Sequence, residues 1–90
     1  MNLGFKRILV ATDFSEPSAL ALEYAHTLAR RFDATLVVVH VVEDPFPIGA
    51  EFESPDIAAY RTTLVEKARH ELARAVAAVS DVEVHAEVLI

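Results

Sequence analysis

Ninety residues with a formal net charge of −6, 53% hydrophobic and 24% charged, describe one globular domain, residues 1–90, with a modest core. The eight lysines and arginines are scattered along the chain, which argues against a nucleic-acid-binding face, and the absence of cysteine excludes disulfides, thiol catalysis and thiolate metal sites. The opening apolar run, Ile8 to Ala11, is far too short for a signal core or a membrane span, so the expectation is a cytoplasmic protein without membrane contact.

The first element is Ile8-Leu9-Val10-Ala11, a short continuous apolar run after Lys6-Arg7. Continuous apolarity, without alternation, predicts a strand buried on both faces, as in parallel sheets. Thr12-Asp13-Phe14-Ser15-Glu16-Pro17 follows. Ser15 suits a helix N-cap, Glu16 the positive end of the helix dipole, and Pro17 the first turn. From Ser18 to Phe32 the spacing is helical, with Leu22, Ala25, Leu28, Ala29 and Phe32 on one stripe and Arg30 and Arg31 in the last turn. After the exit at Asp33-Ala34, Thr35 to Val42 is a β-branched run of strand length, again apolar on both faces.

Glu43 to Pro55 reads as a loop that holds three of the four prolines. Its Phe46, Ile48 and Phe52 predict a loop packed down onto the body. A second helix is expected from about Asp56 to Val79, burying Ile57, Tyr60, Leu64, Ala68, Leu72, Ala75 and Val79, with Glu66, Lys67, Glu71 and Arg74 as a salt-bridged outer face. In the last segment Val82, Val84, Ala86 and Val88 alternate with Glu83, His85 and Glu87, the pattern of a sheet-edge strand with one wet face.

The order is β-α-β-α-β, which right-handed crossovers turn into a parallel sheet of strand order 3-2-1. Doubly wound sheets continue past strand 1 with a fourth strand, and none follows here. An apolar first strand then has an open edge, which soluble proteins avoid. Pairing of that edge with its twin across a two-fold axis, giving a homodimer or higher oligomer, is the expected remedy. Ligands of such sheets bind beyond the carboxyl ends of the strands, here Ala11-Thr12-Asp13 beside His40-Val41-Val42. Asp13 can accept hydrogen bonds from a ribose or hold a metal-bound phosphate, and the amides opening the first helix can meet an anion. The alternative is that Asp13 only caps or braces the turn.

Lys6-Arg7-Ile8-Leu9-Val10-Ala11-Thr12-Asp13-Phe14-Ser15-Glu16-Pro17-Ser18 resembles the opening of the universal stress protein family. Ala21, Ala25, Leu28-Ala29 and the strand end Val39-His40-Val41-Val42 continue the likeness. The resemblance implies a three-layer Rossmann-like domain of the adenine nucleotide alpha hydrolase type, cytoplasmic, commonly dimeric and tied to stress survival. It implies ATP or a related adenine nucleotide, with magnesium, as ligand. Ala11, Thr12 and Asp13 match the family's stretch along the ribose and adenine. Val41 matches the residue whose backbone meets the adenine, and Ser15 a serine at the helix start. The family's phosphate site is a glycine run, G-x2-G-x9-G-[S/T], after its fourth strand. Gly4 and Gly49 are the only glycines here, and strands four and five are lacking. The expectation is therefore the nucleoside half of a pocket, with ATP held weakly; the alternative is a non-nucleotide interaction module acting as a dimer.

Other groups carry less chemistry. His26 and His70 are expected on the surface, and His40 as a satisfied histidine at the end of a buried strand. Glu83, His85 and Glu87 share one strand face, where solvation is a simpler reading than zinc. No serine–histidine–acid spacing is present, and no enzymatic turnover is expected.

Overall fold

The computed structural model describes residues 7–90; Gly4, and Lys6 of the opening motif, lie outside them. Strand β1 spans Arg7–Ala11, helix α1 Glu16–Phe32, strand β2 Thr35–Val41, helix α2 Pro55–Ala77 and strand β3 Val84–Leu89, with a 3-10 turn at Ala50–Phe52. The three strands form one parallel sheet in the order β1-β2-β3. This is the expected open, Rossmann-like α/β arrangement.

Local chemistry sets the boundaries of α1. Ser15 adopts extended backbone and its hydroxyl accepts the Ser18 N–H, while Pro17 sits where no intrahelical donor is needed. The helix ends at Asp33, left-handed at φ 53°, whose N–H returns to the Ala29 carbonyl. Two tethers then fix α1 to the turn before β3. His26 Nε2 lies 2.5 Å from Asp81 Oδ1, and Arg30 3.5 Å from Oδ2. The His26 side chain is 17% exposed, so it is a structural partner and not the free surface residue that its helical position suggested. The hydrogen bond from His26 is the largest cause holding the Asp81 carboxyl below the usual range.

Register decides where the core lies. Ile8 pairs with Leu36 and Leu36 with Val84, while Val10 pairs with Val38. On that face they meet Leu22, Ala25 and Ala29 of α1 and Leu72 of α2 in one apolar cluster that also holds Val79. Both helices thus cover the same side of the sheet. Two crossovers of one hand, stepping in one direction, must put their helices on one side. The third layer implied by the resemblance is not present among the described residues.

Burial of β1 and β2 on both faces is accordingly corrected. Leu9 is 71% and Val41 58% exposed, on the face opposite the helices. The alternation read in β3 is present: Val84 and Val88 are half-buried while His85 and Glu87 face solvent, although Ala86 is exposed too. Glu83, just before β3, accepts from the Thr35 hydroxyl at 2.9 Å and lies 3.3 Å from His85.

The long loop is pinned by Arg61 of α2. Its Nε lies 2.6 Å from Asp44 Oδ2, close but not aligned as a hydrogen bond, Nη1 donates to Glu51 at 2.5 Å, and Nη2 to the Pro47 carbonyl. Phe46 packs edge-on to Tyr60 beneath the guanidinium. The prediction of a packed loop holds for Phe46 and fails for Ile48 and Phe52, which stand in solvent. In α2, Ala68 and Leu72 are buried as the stripe predicts, whereas Tyr60 is exposed. Among the described residues, Glu66, Lys67, Glu71 and Arg74 form no ion pair, so the expected salt-bridged face is not made.

Candidate functional site

The β1–α1 turn departs from regular geometry at Phe14. Thr12, 8% exposed, still belongs to the sheet: its N–H donates to the Val39 carbonyl at 2.9 Å. Its side chain turns inward and accepts the Phe14 N–H at 3.0 Å. Phe14 is left-handed, φ 64°. For a residue with a β-carbon that conformation costs on the order of 1–2 kcal/mol. It persists because the Phe14 ring lies on His40, with centroids 4.3 Å apart. His40 Nδ1 is 2.7 Å from the Thr12 carbonyl. A carbonyl only accepts, so Nδ1 carries the proton and His40 clamps the turn from β2. His40 is thus the satisfied rim histidine that its position predicted.

Asp13 points outward from this turn. Its Oδ1 accepts the Ser15 N–H at 3.0 Å, the Ser15 hydroxyl, and the Ser18 hydroxyl at 2.5 Å. The Ser15 hydroxyl is the largest of the causes that hold the carboxyl at about 2, followed by that of Ser18. The carboxylate also sits at the positive end of α1, where an anion is favoured. Asp13 therefore does brace the turn, but with one oxygen: among the described residues no hydrogen bond reaches Oδ2. The seat at the helix start, expected for a ligand's anion, is filled by Asp13 itself.

Asp13 and Val41 line one open cleft of about 330 Å³ between the strand ends and α2. Phe14, Leu64 and Ala68 supply its apolar wall, and His40 its back. Of the four residues matched from the resemblance, these two come together. Ala11 and Thr12 do not line the cleft: Ala11 shares the uncovered sheet face with Leu9, and Thr12 turns into the interior. Glu43, Lys67 and Glu71 also line it. Sequence reading placed Lys67 and Glu71 on the outer face of α2, yet Leu64, Ala68 and Glu71 fall at i, i+4 and i+7, a spacing that puts them on one face.

A larger cleft of about 510 Å³ lies between α2 and β3. Apart from Arg69 and Glu87 its lining is aliphatic, without the convergent polar groups of a binding site. No helix among the described residues is long and apolar enough to cross a membrane.

Three comparisons place this architecture among known proteins. No curated protein matches the chain by sequence. Among solved structures, it is similar to the universal stress protein UspA from Lactobacillus plantarum, with a TM-score of 0.77 and 22% identity. The match covers 98% of this chain and 62% of that one, so the chain spans less than two thirds of that structure's length. A model of the universal stress protein family matches residues 4–89. The chain belongs to the universal stress protein family.

Proposed function

We propose that residues 1–90 form one unit of a cytoplasmic stress-response protein that holds the nucleoside end of an adenine nucleotide, weakly, at Asp13 and Val41. The observation that carries this is the division of labour in Asp13. Oδ1 is saturated by the serine cage, and Oδ2, which accepts no hydrogen bond among the described residues, is left as an ionised acceptor for ribose hydroxyls. Strand alternation adds to it. The Val39 carbonyl bonds to Thr12, so Val41 also turns its backbone groups toward the β1 side, beyond the end of that strand. An adenine edge can pair with them there. Gly4 and Gly49 make no phosphate-cradling loop, so ATP, with or without magnesium, has no triphosphate anchor within these 90 residues. Binding without turnover is the reading.

Calorimetric titration with adenosine and ATP tests it. Saturable binding in the millimolar range is expected, weakened about tenfold in Asp13→Asn, which keeps the Oδ1 cage but loses the charged acceptor. Because the carboxyl titrates at about 2, affinity is expected to stay level from neutral pH down to pH ~4. Absence of saturable heat, or full affinity in Asp13→Asn, sinks the reading.

A second reading has its own observation. β1 is an edge strand among the described residues, and its Leu9 is exposed on the uncovered sheet face. We propose that two β1 edges pair about a two-fold axis into one six-stranded sheet, making the chain a homodimer. Sedimentation equilibrium is expected to give twice the mass of the chain; a well-folded monomer at high concentration refutes it.

A further inference from the structure

We infer that the Asp13 cleft selects the uncharged form of its ligand, a nucleoside or free base, over any phosphorylated form. This rests on the nucleoside reading above and adds the ligand's charge class. Three carboxylates, Asp13, Glu43 and Glu71, face the cleft, against the single ammonium of Lys67. None of the three carboxylates is in an ion pair among the described residues. The contrast with their neighbours is informative: Asp44 and Glu51, on the same loop as Glu43, are both held by Arg61.

The usual seat for a phosphate is also closed. At the start of α1 the Ser15 N–H and the hydroxyls of Ser15 and Ser18 all turn to Asp13 Oδ1. A phosphate arriving there meets a carboxylate in place of free donors. What remains suits a neutral ring system. Phe14, Leu64 and Ala68 offer apolar surface for a base, and Asp13 Oδ2 accepts from hydroxyls. The cleft's ~330 Å³ lies at the small end of the roughly 300–1,000 Å³ of small-molecule sites, space for a base and sugar. Lys67 does not reverse the balance, because Glu71 stands one helical turn away on the same face.

The test compares adenosine with metal-free ATP on the 90-residue chain, at low and high salt. At low salt ATP is expected to bind about tenfold more weakly than adenosine. Added salt is expected to narrow the gap by raising ATP affinity while leaving adenosine unchanged. Glu43→Gln with Glu71→Gln, isosteric changes checked for folding by circular dichroism, is expected to narrow it in the same direction at low salt. ATP binding as tightly as adenosine at low salt, or a gap indifferent to both salt and the double substitution, overturns the selection and leaves the nucleoside reading standing. If neither ligand saturates, the nucleoside reading fails and the selection falls with it.

Discussion

Leu36→Ala is expected to lower the unfolding free energy by about 2–5 kcal/mol, while Leu9→Ala, the same change on the adjacent strand, is expected to cost under ~1 kcal/mol. Leu36 is fully buried near the start of the middle strand, between Ile8 and Val84. The helix residues that meet it include Ala25 and Ala29, whose short side chains leave Leu36 much of the space to fill. Truncating it opens a cavity that α1 and α2 must collapse across, and cavity cost adds to lost transfer energy. Leu9 lies on the other face, 71% exposed, and touches no helix-side core. A domain of this size has about 5–15 kcal/mol to lose, so the Leu36 change alone removes a large share of it. Urea unfolding of both variants checks this. Equal losses at the two positions mean that the sheet is covered on both faces in solution, and the one-sided core is wrong.

That comparison bears on what the residues declared beforehand. Order and kind of elements were legible because each boundary has a local cause: Ser15 and Pro17 open α1, Asp33 closes it, and the β-branched run from Thr35 has strand length. Face assignment in β1 and β2 was not. A strand that reads Ile-Leu-Val-Ala is apolar at every position whether one face or two are covered, so composition carries no sidedness. β3 was readable because Glu83, His85 and Glu87 mark its wet side. Ile48 and Phe52 misled for a related reason. Hydrophobicity predicts that a side chain gains from burial, but Arg61 fixes the loop through Asp44, Glu51 and Pro47, leaving those two outside.

At the candidate site, Asp13 and Val41 were named from topology and from the family likeness, and the structure brings both to one cleft. What Asp13 does with its two oxygens was not, because the cage depends on Ser15 and Ser18 reaching back across the helix start. Nor did sequence spacing reveal that His40 reaches the Thr12 carbonyl, a contact between residues 28 apart. The charge of the cleft was hidden for the same reason: Glu43 and Glu71 come from separate elements and converge only in three dimensions.

His40→Ala is expected to cost about 2–3 kcal/mol and to weaken ligand binding with it. Removing the imidazole takes away the donor to the Thr12 carbonyl and the ring on which Phe14 rests. The left-handed Phe14 then keeps the Thr12 hydroxyl and its packing against the core cluster to hold it. A strained residue persists when its surroundings over-determine it, and relaxes when they do not. The turn is therefore expected to loosen, carrying Asp13 out of register with Val41. Phe14→Gly separates the two effects: it relieves the backbone strain and keeps the His40–Thr12 bond, but forfeits the ring contact and the packing of Phe14 on the core cluster. Amide exchange gives a local readout. The Phe14 and Ser15 amides, bonded to Thr12 Oγ1 and Asp13 Oδ1, are expected to exchange faster in His40→Ala than in the parent under conditions where the core of β2 remains protected. Unchanged exchange at those two amides means the turn stands without His40 and the clamp is not what holds it.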